Sequence, residues 1–235
     1  MFFPRPSLIL LALLVLAAAC DKKDDGTPTP PTPSNPIPPA DPRPDAMFTA
    51  AMVDSYFNGD LNTVSNATAV AYGPTWIGLY IGDVSLNNVQ LDTSFGLYSI
   101  SGNNSSLDLS SGNASWYTTG GSGFQPITQQ VDDIAFPTIG PVNSPDTIRR
   151  SQVYTFSCAN VSGADSVSFA LDFNARILAG NATSVTLTPS ETAAMQLGST
   201  YASIVAITYT ERLIGNRRCQ FRKQRSSVKV LVVTD

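Results

Sequence analysis

Few residues in this chain can do chemistry, and histidine is not among them. Without it, Ser-His-Asp and Cys-His nucleophile pairs, histidine general bases and histidine metal ligands are all excluded. What remains is three cysteines (Cys20, Cys158, Cys219), a carboxylate pair (Asp132, Asp133), two tryptophans (Trp76, Trp116) among tyrosines, and a late run of cations. The carboxylates suit hydrolysis poorly. Neighbours on a strand face opposite sides, whereas a glycosidase pair must face its partner across roughly 5–9.5 Å. A loop calcium ion through Asp132 or Asp133 is the weaker reading, since no Asp-x-Asp-x-Asp-Gly loop occurs. With no histidine to activate a thiol, a catalytic cysteine is not expected. The chain reads as a non-enzyme, with no catalytic residue, no metal and no cofactor.

Binding is the chemistry left. Trp116 and Tyr117 are adjacent on an expected strand, so their side chains point to opposite faces and one core cannot bury both. They are the candidate ligand-binding pair, with Asn113 nearby and a glycan as the candidate ligand. Trp116 as a core residue is the plainer alternative. Seven of the ten positive residues after position 45 fall between Arg212 and Lys229. They read as the solvated flank of a terminal edge strand, where cations discourage further pairing. An acidic glycan or lipid phosphate is the sharper reading. The net charge of −4 is too mild to suggest a polyanion, and no nucleic-acid partner is expected.

Cys158 and Cys219 are candidates for a disulfide that would restrict the unfolded chain by roughly 4 kcal/mol. Against it, a strict turn at Gly215-Asn216 sets Cys219 opposite Arg212, away from Val205 and Ile207, and a bulge would be needed to turn it inward.

Elements that could position these groups begin with an address. One positive residue, Arg5, precedes an unbroken apolar run from Leu8 to Ala19. Twelve residues make about 18 Å of helix, against roughly 30 Å of bilayer hydrocarbon, which suits a signal peptide and is too short to span. The run ends Leu16-Ala17-Ala18-Ala19-Cys20, which resembles the lipobox of bacterial lipoproteins. That resemblance implies cleavage before Cys20, diacylglycerol on its thiol and an acylated new N-terminus. Lys23, Asp24 and Asp25 then resemble the export signal of Bacteroidota lipoproteins, implying the outer membrane with the chain facing outward. Aspartate directly after the cysteine also occurs as an inner-membrane retention signal in other bacteria. Two or three acyl chains, at about 0.8 kcal/mol per buried methylene, would make the membrane a permanent partner. From Gly26 to Asp45, nine of twenty residues are proline, so polyproline II is expected, a stalk of up to roughly 60 Å.

Positions 46–235 show few helix signals. Asn, Ser, Thr and Gly punctuate β-branched and aromatic runs about every ten residues, as in all-β sandwiches. Phe48–Tyr56 reads as a strand, or as one or two helical turns. Trp76–Leu86, Val89–Leu91, Leu97–Ile100 and Ser115–Thr118 read as strands, with a hairpin turn at Asn87-Asn88. In the second half the expected inward stripes are Tyr154, Phe156, Cys158; then Val167, Phe169, Leu171, Phe173; then Val185, Leu187; then Val205, Ile207, Tyr209. Ser190–Leu197 could make one or two helical turns capped by Ser190.

Thr186-Leu187-Thr188, Leu197-Gly198-Ser199-Thr200-Tyr201 and the alternation from Ala202 to Thr210 resemble strands E and F of an immunoglobulin or fibronectin type III-like domain. The likeness places Tyr201 at the tyrosine corner. Asp146-Thr147-Ile148 and Asp165-Ser166-Val167 match a short Bacteroidota O-glycosylation pattern, though Val167 also reads as core.

The expected organisation is an all-β chain: signal peptide 1–19, lipidated cysteine and Pro-rich linker 20–45, a β domain 46–135, and an Ig-like β-sandwich 136–235. One continuous sandwich is the alternative. The expected role is a non-catalytic binding or adhesion module at the cell surface, with a glycan as ligand; the alternative is an accessory subunit docked on an envelope protein.

Overall fold

The computed structural model describes residues 43–235 except 58–59, 74–77, 102–105 and 172–173, and gives only the backbone of residues 56, 57, 60 and 174. The signal peptide, Cys20, Lys23, Asp24, Asp25, most of the proline stretch and Trp76 lie outside the described residues.

Alternating β-branched and small residues carry nearly all of it into strands. In chain order they are β1 (Ala46–Phe57), β2 (Asp60–Ala71), β3 (Val84–Leu86), β4 (Val89–Gln90), β5 (Asp92–Ser94), β6 (Leu97–Ser101), β7 (Ala114–Thr118), β8 (Ile127–Val131) and β9 (Thr138–Ile139). They continue with β10 (Thr147–Arg149), β11 (Tyr154–Ser157), β12 (Val161–Ser162), β13 (Ser166–Leu171), β14 (Asn174–Ala179), β15 (Ser184–Leu187), β16 (Gly198–Ile214) and β17 (Arg217–Thr234). One short helix, α1 (Pro189–Ala193), lies between β15 and β16.

A nine-stranded sheet runs β14-β13-β16-β17-β1-β2-β6-β5, with β10 on the far end of β17. Its axis is the β16–β17 hairpin, paired in strict register from Gly198 opposite Val233 to Ile214 opposite Arg217. Gly215 turns it at φ 62°, the positive value a type II′ turn requires of its first central residue. β17 also pairs parallel with β1 and β10.

Two cores lie on one face of this sheet. Near the hairpin turn, Phe48, Ala50, Ala69, Tyr98 and Phe221 meet Leu86, Trp116, Ile127 and Val131 of a second sheet ordered β4-β3-β7-β8. Phe48 stacks on Phe221 at 5.0 Å and tilts against Trp116 at 5.3 Å. Toward the chain's end, Val167, Phe169, Ala202, Ile204 and Leu231 meet Tyr154, Phe156, Val185 and Leu187 of the β11–β15 pair. In that half β10, β17, β16, β13 and β14 face β11 and β15 as the two layers of a small sandwich. The chain is all-β, built of small sandwiches; residues 44–235 form one compact unit, and the long hairpin supplies strands to both cores.

Several expectations change. On β16 the core takes Ala202, Ile204 and Ala206, not Ile207 and Tyr209. Phe169 pairs with Ile204 and Val167 with Ala206, and cross-strand partners share a face. Tyr201 therefore points away and is 55% exposed, so it is not a corner tyrosine. Tyr154 makes a comparable tether instead, its hydroxyl donating to the Pro145 carbonyl at 2.7 Å. The helix cap is Thr188, with Glu191 closing a capping box and Pro189 in the first turn. Trp76–Leu86 yields only β3 among its described residues. Asn87 and Asn88 do turn a hairpin, at φ 49° and 65°.

The cations are not on an edge. β17 is interior, and its charges clamp other parts of the fold. Arg217 reaches Asp45, Arg218 reaches Glu211, Arg225 reaches Asp54, and Lys229 reaches Asp146. Lys223 is buried. Its ammonium donates to the carbonyls of Gly112 and Ile134, both at 2.8 Å, and lies over the Phe136 ring.

Candidate binding face

β7 alternates strictly. Ala114, Trp116 and Thr118 point inward, while Ser115 and Tyr117 point out. Trp116 is 1% exposed and packs on Phe48; a residue so enclosed cannot meet a ligand, which removes it from the expected pair. Tyr117 is 47% exposed.

Register supplies the surroundings. Tyr117 lies opposite Ser85 on β3 and Thr128 on β8. Ser115 lies opposite Gln130, and Ser85 opposite Gln90. These positions share the outer face, within one strand spacing (about 4.8 Å) or one two-residue step (about 6.8 Å) of their neighbours. The result is a single phenol ring set among hydroxyls and amides, with no charged residue among these positions. Such a surface can stack on the C–H face of a sugar ring and hydrogen-bond its hydroxyls.

The frame is tied down at one end by Asn87. Its Oδ1 accepts from Ser115 N–H at 2.9 Å, and its Nδ2 donates to the carbonyls of Asn113 and Asp108 at 3.1 and 3.3 Å. Asn113 thus contributes a backbone acceptor to the frame. At the other end Asp83 N–H donates to Thr119 Oγ1 at 2.8 Å. The polar partners Ser85, Gln90, Thr128 and Gln130 were not singled out from the sequence. The inward-outward alternation of Ile127-Thr128-Gln129-Gln130-Val131 signals Thr128 and Gln130, and nothing comparable signals Ser85 and Gln90.

The remaining candidates disperse. Asp133 accepts from the Arg212 guanidinium and from Thr210 Oγ1, and Arg212 holds its carboxyl below the usual range. Asp133 therefore faces a cation rather than a second carboxylate, and Asp132 is exposed. Among the described residues, no group of three or more His, Cys, Asp or Glu side chains converges as metal ligands would.

Cys219 does lie opposite Arg212, as the strict turn requires. It packs in the first core, and Cys158 in the second. Both are free thiols rather than a disulfide. Burial pushes both thiol pKa values up, that of Cys219 to about 11, so neither is an activated nucleophile. A cleft of about 320 Å³, lined by Phe169, Leu171, Val185 and Leu187 beside the Arg176–Glu191 ion pair, has no counterpart in the sequence reading.

Compared with known proteins, the chain matches no family model and no curated sequence.

Proposed function

We propose that this is a lipid-anchored cell-envelope protein of the outer membrane, facing outward, whose folded part is a non-catalytic module that binds a glycan on the Tyr117 face. The Ala17-Ala18-Ala19-Cys20 stretch and the following Lys23-Asp24-Asp25 support the anchor and its destination. The observation carrying the binding role is Tyr117 itself, a half-exposed aromatic at the centre of an uncharged polar sheet face. A folding role would place that ring inward, as β7 does with Trp116.

The test is retention on bacterial or host polysaccharide. Tyr117→Ala should abolish retention and leave the melting temperature unchanged. Retention equal to the parent protein would defeat the reading. The anchor is tested separately, by metabolic labelling with a palmitate analogue that should mark the native protein and spare Cys20→Ser. The competing class is an accessory subunit docked on an envelope protein, favoured by the open edges β14 and β5. Such a subunit would cross-link to a partner in cells and bind no polysaccharide.

A further inference from the structure

The β5–β6 turn is a two-residue hairpin of Phe95 and Gly96, at φ 50° and 74°. That geometry selects Asn-Gly or Gly-Gly, and a bulky aromatic is strained there. Burial does not compensate, because Phe95 is 97% exposed. The turn is nonetheless closely backed. A Cβ on Gly96 would meet the Gly78 carbonyl oxygen at 2.3 Å, so the two backbones touch. Behind them Tyr98 is buried and its hydroxyl accepts from Ile81 N–H at 2.8 Å. A strained, solvent-facing ring gains no burial in return for its backbone strain.

Two more exposed apolar side chains lie at this end. Ala46, Ala71 and Cys219 form one cross-strand row, and Phe95 and Leu213 both lie just past it. Four strand spacings, about 19 Å, separate them. Leu213 is 75% exposed and Tyr80 54%. The Tyr80 carbonyl touches Gly121, whose loop abuts the hairpin turn through Gln125 and Gly215. The chain also joins the fold here. Asp45 N–H donates to the Arg218 carbonyl, and its carboxylate takes Arg218 N–H and Arg217 Nη1, at 2.8, 2.8 and 3.1 Å.

We infer that this end is a membrane-contact surface, with Phe95, Leu213 and Tyr80 entering the interfacial layer of a lipid bilayer. The inference rests on the lipid-anchor reading, in which the sequence between Cys20 and Asp45 joins the anchor to this end of the fold. Separate apolar tips on neighbouring turns suit a fluid interface, where leucine and aromatic side chains settle at headgroup depth. Arg217 and Arg218 are paired with Asp45 and Glu211, so contact depends on apolar area and little on salt.

The test is sedimentation with phosphatidylethanolamine–phosphatidylglycerol vesicles, using the mature chain with Cys20→Ser so that no acyl chain contributes. Phe95→Asn restores a favoured turn pair, so it folds at least as stably as the parent. It should bind about tenfold more weakly, and Phe95→Asn with Leu213→Ser about a hundredfold. Raising salt should change binding little. Parent protein that ignores vesicles, Phe95→Asn that binds like the parent, or Phe95→Asn that loses polysaccharide instead of vesicles would each overturn the inference. The palmitate label reports on the anchor alone, so loss of vesicle binding with the label intact sinks only the membrane contact.

Discussion

Arg225 holds Asp54 with two bonds, Nε at 2.5 Å from Oδ2 and Nη2 at 2.7 Å from Oδ1, across 171 residues of sequence. Thr63 Oγ1 donates to the same carboxylate at 2.6 Å. Asp54 is buried on β1 and Arg225 three-quarters buried on β17, so the pair fastens the parallel join of the first and last strands. Removing one partner leaves a charge with little water. Arg225→Ala should cost about 2–3 kcal/mol, somewhat less than breaking a fully buried pair costs, because the arginine keeps some solvent. Arg225→Lys should recover only part of it, since an ammonium cannot bridge both oxygens. Urea denaturation of the three proteins checks this.

Trp116 and Tyr117 should separate cleanly in a stability measurement. Trp116→Ala empties space against Phe48 and should cost about 3–5 kcal/mol. Tyr117→Ala should stay within about 0.5 kcal/mol of the parent. Comparable losses would mean that both rings are structural.

Both thiols of the folded part should resist iodoacetamide at pH 8 in the native protein and react in denaturant. Cys219, pushed up to about 11 by burial, is protonated there and enclosed. Mass spectrometry without reductant should find two alkylated peptides after denaturation. A single peptide pair joined through sulfur would contradict the separate cores.

Glu191 closes the cap of α1. Hydrogen bonds from Thr188 N–H and hydroxyl, followed by Arg176, hold its carboxyl down to about 2 against an ordinary 4.5. The unfolded chain thus takes up this proton first as pH falls. The cap's contribution is complete above about pH 4.5 and lost on the way down to about 2. Glu191→Gln should melt below the parent at pH 7, and the difference should vanish near pH 2.

Much of the second half is legible from local alternation. Tyr154-Thr-Phe-Ser-Cys and Val167-Ser-Phe-Ala-Leu have one apolar stripe each, and both stripes face the core. β16 defeats the same rule because both of its faces are apolar. Ala202, Ile204 and Ala206 compete with Ser203, Val205 and Ile207, and only the bulk of Phe169 across the sheet decides. Turn chemistry is equally readable at Asn87-Asn88, yet Phe95-Gly96 hides a turn behind an aromatic. The cations of β17 mislead for another reason. Their partners Asp45, Asp54, Asp146 and the carbonyls of Gly112 and Ile134 lie far off in sequence, and composition cannot distinguish a clamp from a wet surface. Tyr117's exposure follows from its neighbour Trp116, but its ring of hydroxyls and amides comes from three other strands.

The parallel seam between β1 and β17 has a bearing on how the protein is made. A nascent polypeptide must be extended through Cys219 and Phe221, 173 residues beyond their partners Ala46 and Phe48, before the first hydrophobic cluster can close. Long-range strand pairing of this kind is slow to form. Closure of that cluster thus waits on the pairing between the two strands of the large sheet that lie furthest apart in the sequence, so the order of the strands sets the timing of folding as well as the architecture.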